Sequence, residues 1–215
     1  MTTALTAVLQ DAGALSTVDD KSFKDLSGSG SFLPRLQLCG GNSKICKTGK
    51  IGIGRWGLMK GKDEVVDLTT EVDVIVCAMR ARATDTSKEG EVLNSFEQNS
   101  EQFKAIAAMS DIQDSGCMFG PEFLIYIPSA SQFATYFMSS KTARNKATAM
   151  RDALGKGATL GVEFIETKKY SWHGPTVKPC SSPLTEPSAE EAMPVVKTFL
   201  NPPKVETVKD DGRDR

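Results

Sequence analysis

An α+β fold, in the form of an OB-like five-stranded β-barrel with a helix between strands 3 and 4 and a helical insertion between strands 4 and 5, is predicted by three observations. The first is strict alternation over Val66 to Ala78, where Val66, Leu68, Thr70, Val72, Val74, Val76 and Ala78 share one side and Asp67, Thr69, Glu71 and Asp73 the other. The second is the helical spacing of Leu93, Phe96, Phe103, Ile106 and Ala107 that follows. The third is the order of elements: strand, strand, long strand, helix, strand, helical insertion, strand, which is the order of an OB barrel.

Each element has its own signal. Phe32 to Leu38 alternates Phe32, Pro34, Leu36 and Leu38 on one side and predicts the first strand, at a sheet edge because of Pro34. Lys50 to Met59 alternates less cleanly and carries many glycines. Polar residues from Thr84 to Gly90 break the long strand, and a helix is expected from Val92 to Met109. Phe123 to Ile127 is aromatic and β-branched and stops at Pro128, as a short strand would. Ser131 to Met138 and Lys141 to Leu154 read as helices, the second with Ser139 or Ser140 as N-cap and Gly155 past its end. Thr159 to Tyr170 is the last strand, with Leu160, Val162 and Phe164 on one face.

These elements form one domain, residues 32–175, between two tails. Residues 1–31 pass through Ser27-Gly28-Ser29-Gly30-Ser31, the composition of a flexible linker. Seven of the ten prolines lie at or after Pro175, so 176–215 reads as a largely disordered tail. One stretch departs from that reading: Glu190 to Leu200, where Val195, Val196, Phe199 and Leu200 are placed to dock on the domain or on a partner.

Composition excludes several functional classes. No apolar run approaches the roughly 18 residues of a membrane-spanning helix. The five cysteines are odd in number and irregularly spaced, and the N-terminus lacks a secretory pattern, which predicts a soluble protein of a reducing, cytoplasmic compartment. Cys39 and Cys46 are the nearest pair, and the paired spacings of structural zinc sites are absent. His173 is the only histidine, in a Trp-His-Gly-Pro context that does not mark a catalytic base. Residues Gly52 to Gly57 match G-x-G-x-x-G, but the continuation Leu58-Met59-Lys60-Gly61-Lys62-Asp63 is turn-like rather than the opening of a helix, so no dinucleotide cofactor is expected.

Charge supplies the positive signal. Net charge is -1, yet Arg35 to Lys62 holds Arg35, Lys44, Lys47, Lys50, Arg55, Lys60 and Lys62 without an acidic residue, together with many glycines and Trp56. Lysines and arginines that meet phosphates, beside an aromatic face on which an unpaired base stacks, are what single-stranded nucleic-acid binding requires. Arg80 and Arg82 at the end of the long strand, Lys141, Arg144, Lys146 and Arg151 on the second helix, and Lys168, Tyr170 and Trp172 at the last strand extend this set. The competing reading is a solvated basic hairpin with Trp56 in the core and Tyr170 and Trp172 as a plug where the chain leaves the barrel. The expected function is therefore a non-enzymatic single-stranded DNA or RNA binding protein, of the kind used in replication, recombination or a virus. The alternative is an assembly protein whose tails contact copies of itself or a protein partner.

Overall fold

The computed structural model describes residues 33–41, 43, 46, 49–60, 64–88, 91–201 and 205–209. The 1–31 segment and Lys44, Lys47 and Lys62 lie outside the described residues. The elements are β1 (Arg35–Leu38), β2 (Trp56–Met59), β3 (Val65–Asp67), β4 (Val72–Asp85), β5 (Glu91–Ser95), α1 (Glu101–Met109), β6 (Cys117–Ile127), β7 (Gln132–Phe137), α2 (Lys141–Arg144), α3 (Ala147–Asp152), β8 (Gly157–Glu166), β9 (Ser171–Pro179), α4 (Ala189–Leu200) and β10 (Val205–Lys209).

The spine is β4, whose β-branched residues Val72, Val74, Ile75 and Val76 suit a pleated, buried surface, with Asp73 exposed among them. Along one edge β6 pairs with it from Ile75 to Asp85. Along the other, β8 takes Val72 to Ile75 and β5 takes Ala83 to Asp85. The sheet continues from β6 through β7, β1 and β2 to β3, while β10 flanks β5 and β9 flanks β8. Every pairing is antiparallel except β1 with β7.

A bulge between Val76 and Ala78 interrupts the β4–β6 register. An extra residue in one strand reverses which side its successors face. Before the bulge, Val72, Val74 and Val76 face a core containing Trp56, Leu58, Phe123, Ile125, Tyr136 and Leu160. At the bulge, Cys77 and Ala78 are both in the core of the opposite face, where Ala192, Val196 and Phe199 of α4 pack. A smaller cluster of Ala83, Phe103 and Ile106 seats α1.

The expected closed barrel is corrected by this topology. Among the described residues no ladder joins β9 to the β1–β3 end, so the sheet stays open. Two expected helical stretches are strands. The helix expected from Val92 begins only after Ser100, whose Oγ accepts from the Phe103 N–H at 3.1 Å, and the residues before it form β5. Ser131 to Met138, also expected as helix, contains β7. The physical reason is the same for both: Asn94 and Ser95 of β5 and Ala134, Thr135 and Tyr136 of β7 are buried in succession, and a strand covered on both faces shows no alternation.

The C-terminal region also differs from the tail expected for 176–215. It holds the end of β9, then α4, then β10. The start of α4 is a capping box, with the Ser188 Oγ accepting from the Glu191 N–H (3.2 Å) and the Glu191 carboxylate accepting from the Ser188 N–H (3.0 Å). Val196 and Phe199, two of the four residues singled out for docking, are buried against the sheet.

Candidate functional site

The most open cluster of aromatic and basic side chains is the β8–β9 hairpin. Its strands pair from Ala158↔Pro179 out to Glu166↔Ser171, and Thr167 closes the turn: its N–H donates to the Tyr170 carbonyl (2.8 Å) and its Oγ1 accepts from the Tyr170 N–H (3.0 Å). At the base, Ala158 and Leu160 are buried. The hairpin runs on past that core, which leaves Phe164 60%, Tyr170 73% and Trp172 37% exposed, with Lys168 and Lys169 exposed at the tip. Phe164 faces His173 across the ladder, ring centroids 5.2 Å apart. Trp172 is oriented by its Nε1–H, which donates to Thr142 Oγ1 of α2 at 3.2 Å. The hairpin's Glu163 is engaged by Lys146 (3.2 Å), while Glu166 is exposed.

The loop between β1 and β2 meets this hairpin. Gly54 has φ 74°, and a Cβ there would lie 2.8 Å from His173 Cδ2, so only glycine permits both the turn and the approach. The Gly54 N–H donates to the Cys39 carbonyl (2.9 Å), which fixes the loop's return. Ile53, 59% exposed, is the neighbour of Gly54, and exposed Lys50 is in the same loop. Arg55 is held by Asp67, its Nε donating to both carboxylate oxygens at 3.0 and 2.8 Å. That bond and the Thr69 N–H hold the Asp67 carboxyl below the usual range. Lys60 is exposed at the opposite end of β2, on the turn to β3, so the basic window is not one patch.

Three residues expected at the interface are structural instead. Trp56 is fully buried, packed edge-to-face on Tyr136 at 5.3 Å, and its ring presents no surface to an incoming base. Arg80 and Arg82 flank the buried Glu122 of β6: Arg80 approaches one carboxylate oxygen at 2.7 Å and Arg82 the other at 2.9 Å. The Arg80 guanidinium lies between the Phe96 and Phe199 rings, 4.0 and 4.3 Å from their centroids, and donates to the Phe199 carbonyl at the end of α4 (2.8 Å). Arg82 also bonds Thr84 and Asn94, each at 3.0 Å. Burial alone would raise the Glu122 pKa, but the two guanidiniums outweigh it and hold the carboxyl below the usual range. On α2, Arg144 lies 4.5 Å over Phe119, donates to the Phe119 and Ser139 carbonyls and pairs with Asp111, whereas Lys141 of α2 and Arg151 of α3 are exposed.

Phe164 is the site residue that sequence reasoning missed, and His173, which stands beside Lys168, Lys169, Tyr170 and Trp172 in the sequence, carries no assigned role there. Phe164 reads as a core position in an alternating strand, and His173 as a loop residue. A signal for both was present: Thr167-Lys168-Lys169 is a turn, and aromatics on either side of a turn belong to one hairpin tip.

Arg35 lies at the start of a cleft of about 290 Å³ bounded by β1, β7, β9 and the start of α2. Tyr136 forms part of its wall, and burial pushes the phenol pKa up. Burial and the neighbouring Cys46 push the Cys39 thiol up to about 12, and burial pushes Cys77 up to about 12, which disfavours the nucleophilic thiolate at these two positions. Among the described residues, no three His, Cys, Asp or Glu side chains are grouped to hold a metal ion, and no helix is long and apolar enough to cross a membrane. Comparison with protein-family models, with curated proteins and with solved structures finds nothing that matches this chain.

Proposed function

We propose that this protein binds single-stranded DNA or RNA, without chemistry, on the surface formed by the β8–β9 hairpin and the β1–β2 loop. One observation carries the reading: the close approach of Gly54 to His173 sets the β1–β2 loop, with its exposed Lys50 and Ile53, beside the hairpin that exposes Phe164, Tyr170 and Trp172. Phe164 on the His173 face of the hairpin, Trp172 on its other face and Tyr170 at its tip provide exposed rings on which unpaired bases stack as a strand wraps the tip, and Lys168, Lys169, Lys50 and Lys141 provide charges for the backbone. A duplex keeps its bases stacked on each other, so the surface suits a single strand. Tail-mediated assembly has less support, because Val196 and Phe199 are buried on the chain's own sheet.

The test is titration of labelled oligodeoxynucleotides and oligoribonucleotides at several salt concentrations, followed by anisotropy and tryptophan fluorescence. The expected result is binding of single strands that weakens with salt and quenches the signal. No binding at low salt, or equal binding of duplex, overturns the reading.

A further inference from the structure

The geometry points to the wedge between β1 and β7 as a slot for one unstacked nucleobase of the bound strand, an inference that rests on the function proposed above. The β1–β7 ladder consists of a single pair, Arg35↔Thr135, with the Thr135 N–H donating to the Pro34 carbonyl at 2.8 Å. Peptide groups alternate direction along a strand, so the even-numbered residues of β1 turn theirs towards β7 and the odd-numbered ones towards β2. Cys39 agrees, since its N–H donates to the Arg55 carbonyl on the β2 side. Past Arg35 the ladder with β7 stops. The Leu36 carbonyl and the Leu38 N–H and carbonyl are therefore directed into the wedge with no ladder partner opposite.

A donor flanked by acceptors along a rigid edge complements the hydrogen-bonding edge of a base. Tyr136 and Pro175 form apolar walls, and His173 stands in the lining with its ring against Phe164. The volume, about 290 Å³, falls just under the roughly 300 Å³ at which ligand clefts start, and so suits one base rather than a dinucleotide. Because Phe164 belongs to the exposed hairpin, a strand stacked there passes the mouth of the wedge and can turn one base inward.

Gly40 offers a plug. It lines the cleft, its backbone is outside the left-handed region, and a Cβ added to it meets nothing within 4 Å, so Gly40→Phe places a ring at the cleft lining with room for its Cβ and is the variant chosen to obstruct the slot. Binding of oligonucleotides carrying 2-aminopurine at successive positions is measured for the full chain and for this variant, with thermal melting as the folding control. The unsubstituted protein is expected to change 2-aminopurine fluorescence at a restricted position, and Gly40→Phe to lose that change with at least about fivefold weaker affinity. An oligonucleotide abasic at the same position should lose a similar factor on the unsubstituted protein, a readout that needs no variant. If single strands bind but neither the plug nor the abasic position matters, the slot is wrong and the proposed function stands. If single strands do not bind at all, the proposed function fails and the slot with it.

Discussion

Beneath α4, Arg80 lies between two phenylalanine rings and, with Arg82, grips Glu122; on the β8–β9 hairpin, Lys168, Lys169, Tyr170 and Trp172 present similar groups to solvent. Both regions combine cations with aromatics, the composition from which nucleic-acid binding is argued. What separates them is the carboxylate. Glu122 sits directly across the ladder from Arg80, so the arginine charges are neutralised inside the fold and the aromatic faces are already occupied. The tip lysines have no such acid buried between them, and a phosphate can take its place. A basic residue beside an aromatic one is thus a binding signal only where the fold leaves both open.

The largest expected effect is on the closed region. Glu122→Ala leaves two guanidiniums buried without their carboxylate, and loss of one partner from a buried pair costs about 3–5 kcal/mol. Chemical denaturation should show it as a large drop in the midpoint. Replacing the group together, Glu122→Leu with Arg80→Met and Arg82→Met, should cost much less, since no charge is then stranded. The carboxyl is held low in the folded state, so its stabilisation is complete above the unfolded carboxyl's value of about 4.3 and is lost as pH falls through the folded value. Acid unfolding of Glu122→Gln should lack that component.

The two tryptophans form the next contrast. Trp56→Ala removes a fully buried ring and should cost about 3–5 kcal/mol of stability. Trp172→Ala should cost less, about 1 kcal/mol, through its partial burial and its bond to Thr142. For oligonucleotide affinity the order reverses: Trp172→Ala should lose about 1–3 kcal/mol, the value of one stacked base. If Trp56→Phe abolishes the quench on binding while Trp172→Phe leaves it intact, the assignment of open and closed aromatics is inverted.

How far these regions were legible in the sequence depends on the distance between partners. The alternation of Val72, Val74 and Val76 is local and readable up to the bulge, although the single strand expected over Val66 to Ala78 divides into β3 and β4. Of the two N-cap candidates Ser139 and Ser140 it is Ser140 that caps α2, and the one helix expected over Lys141 to Leu154 divides into α2 and α3, while the amphipathic stretch Glu190 to Leu200 forms α4. The role of Arg80 and Arg82 was hidden, because Glu122 lies 40 residues or more away along the chain. Trp56 reads in the sequence as either a stacking face or a core residue, for a related reason. Its flanks are basic and glycine-rich, but its ring packs on Tyr136, which only the folded sheet brings near. The hairpin tip was half legible: Lys168, Tyr170 and Trp172 are neighbours in sequence, whereas the approach of Gly54 to His173 is a product of the tertiary fold.

The smallest effect concerns the lysines and separates a binding face from a merely solvated one. Each lysine that meets a phosphate of a single strand contributes about 0.7 to the slope of log affinity against log salt. Lys168→Ala with Lys169→Ala should therefore flatten the slope by about 1.4 if both make contact. Lys60→Ala, at the far end of β2, should leave the slope unchanged. Stability should not move in either variant, since all three side chains are exposed. Equal flattening by the tip pair and by Lys60 would mean that charge attracts the strand diffusely, and the hairpin would then be a solvated surface like any other.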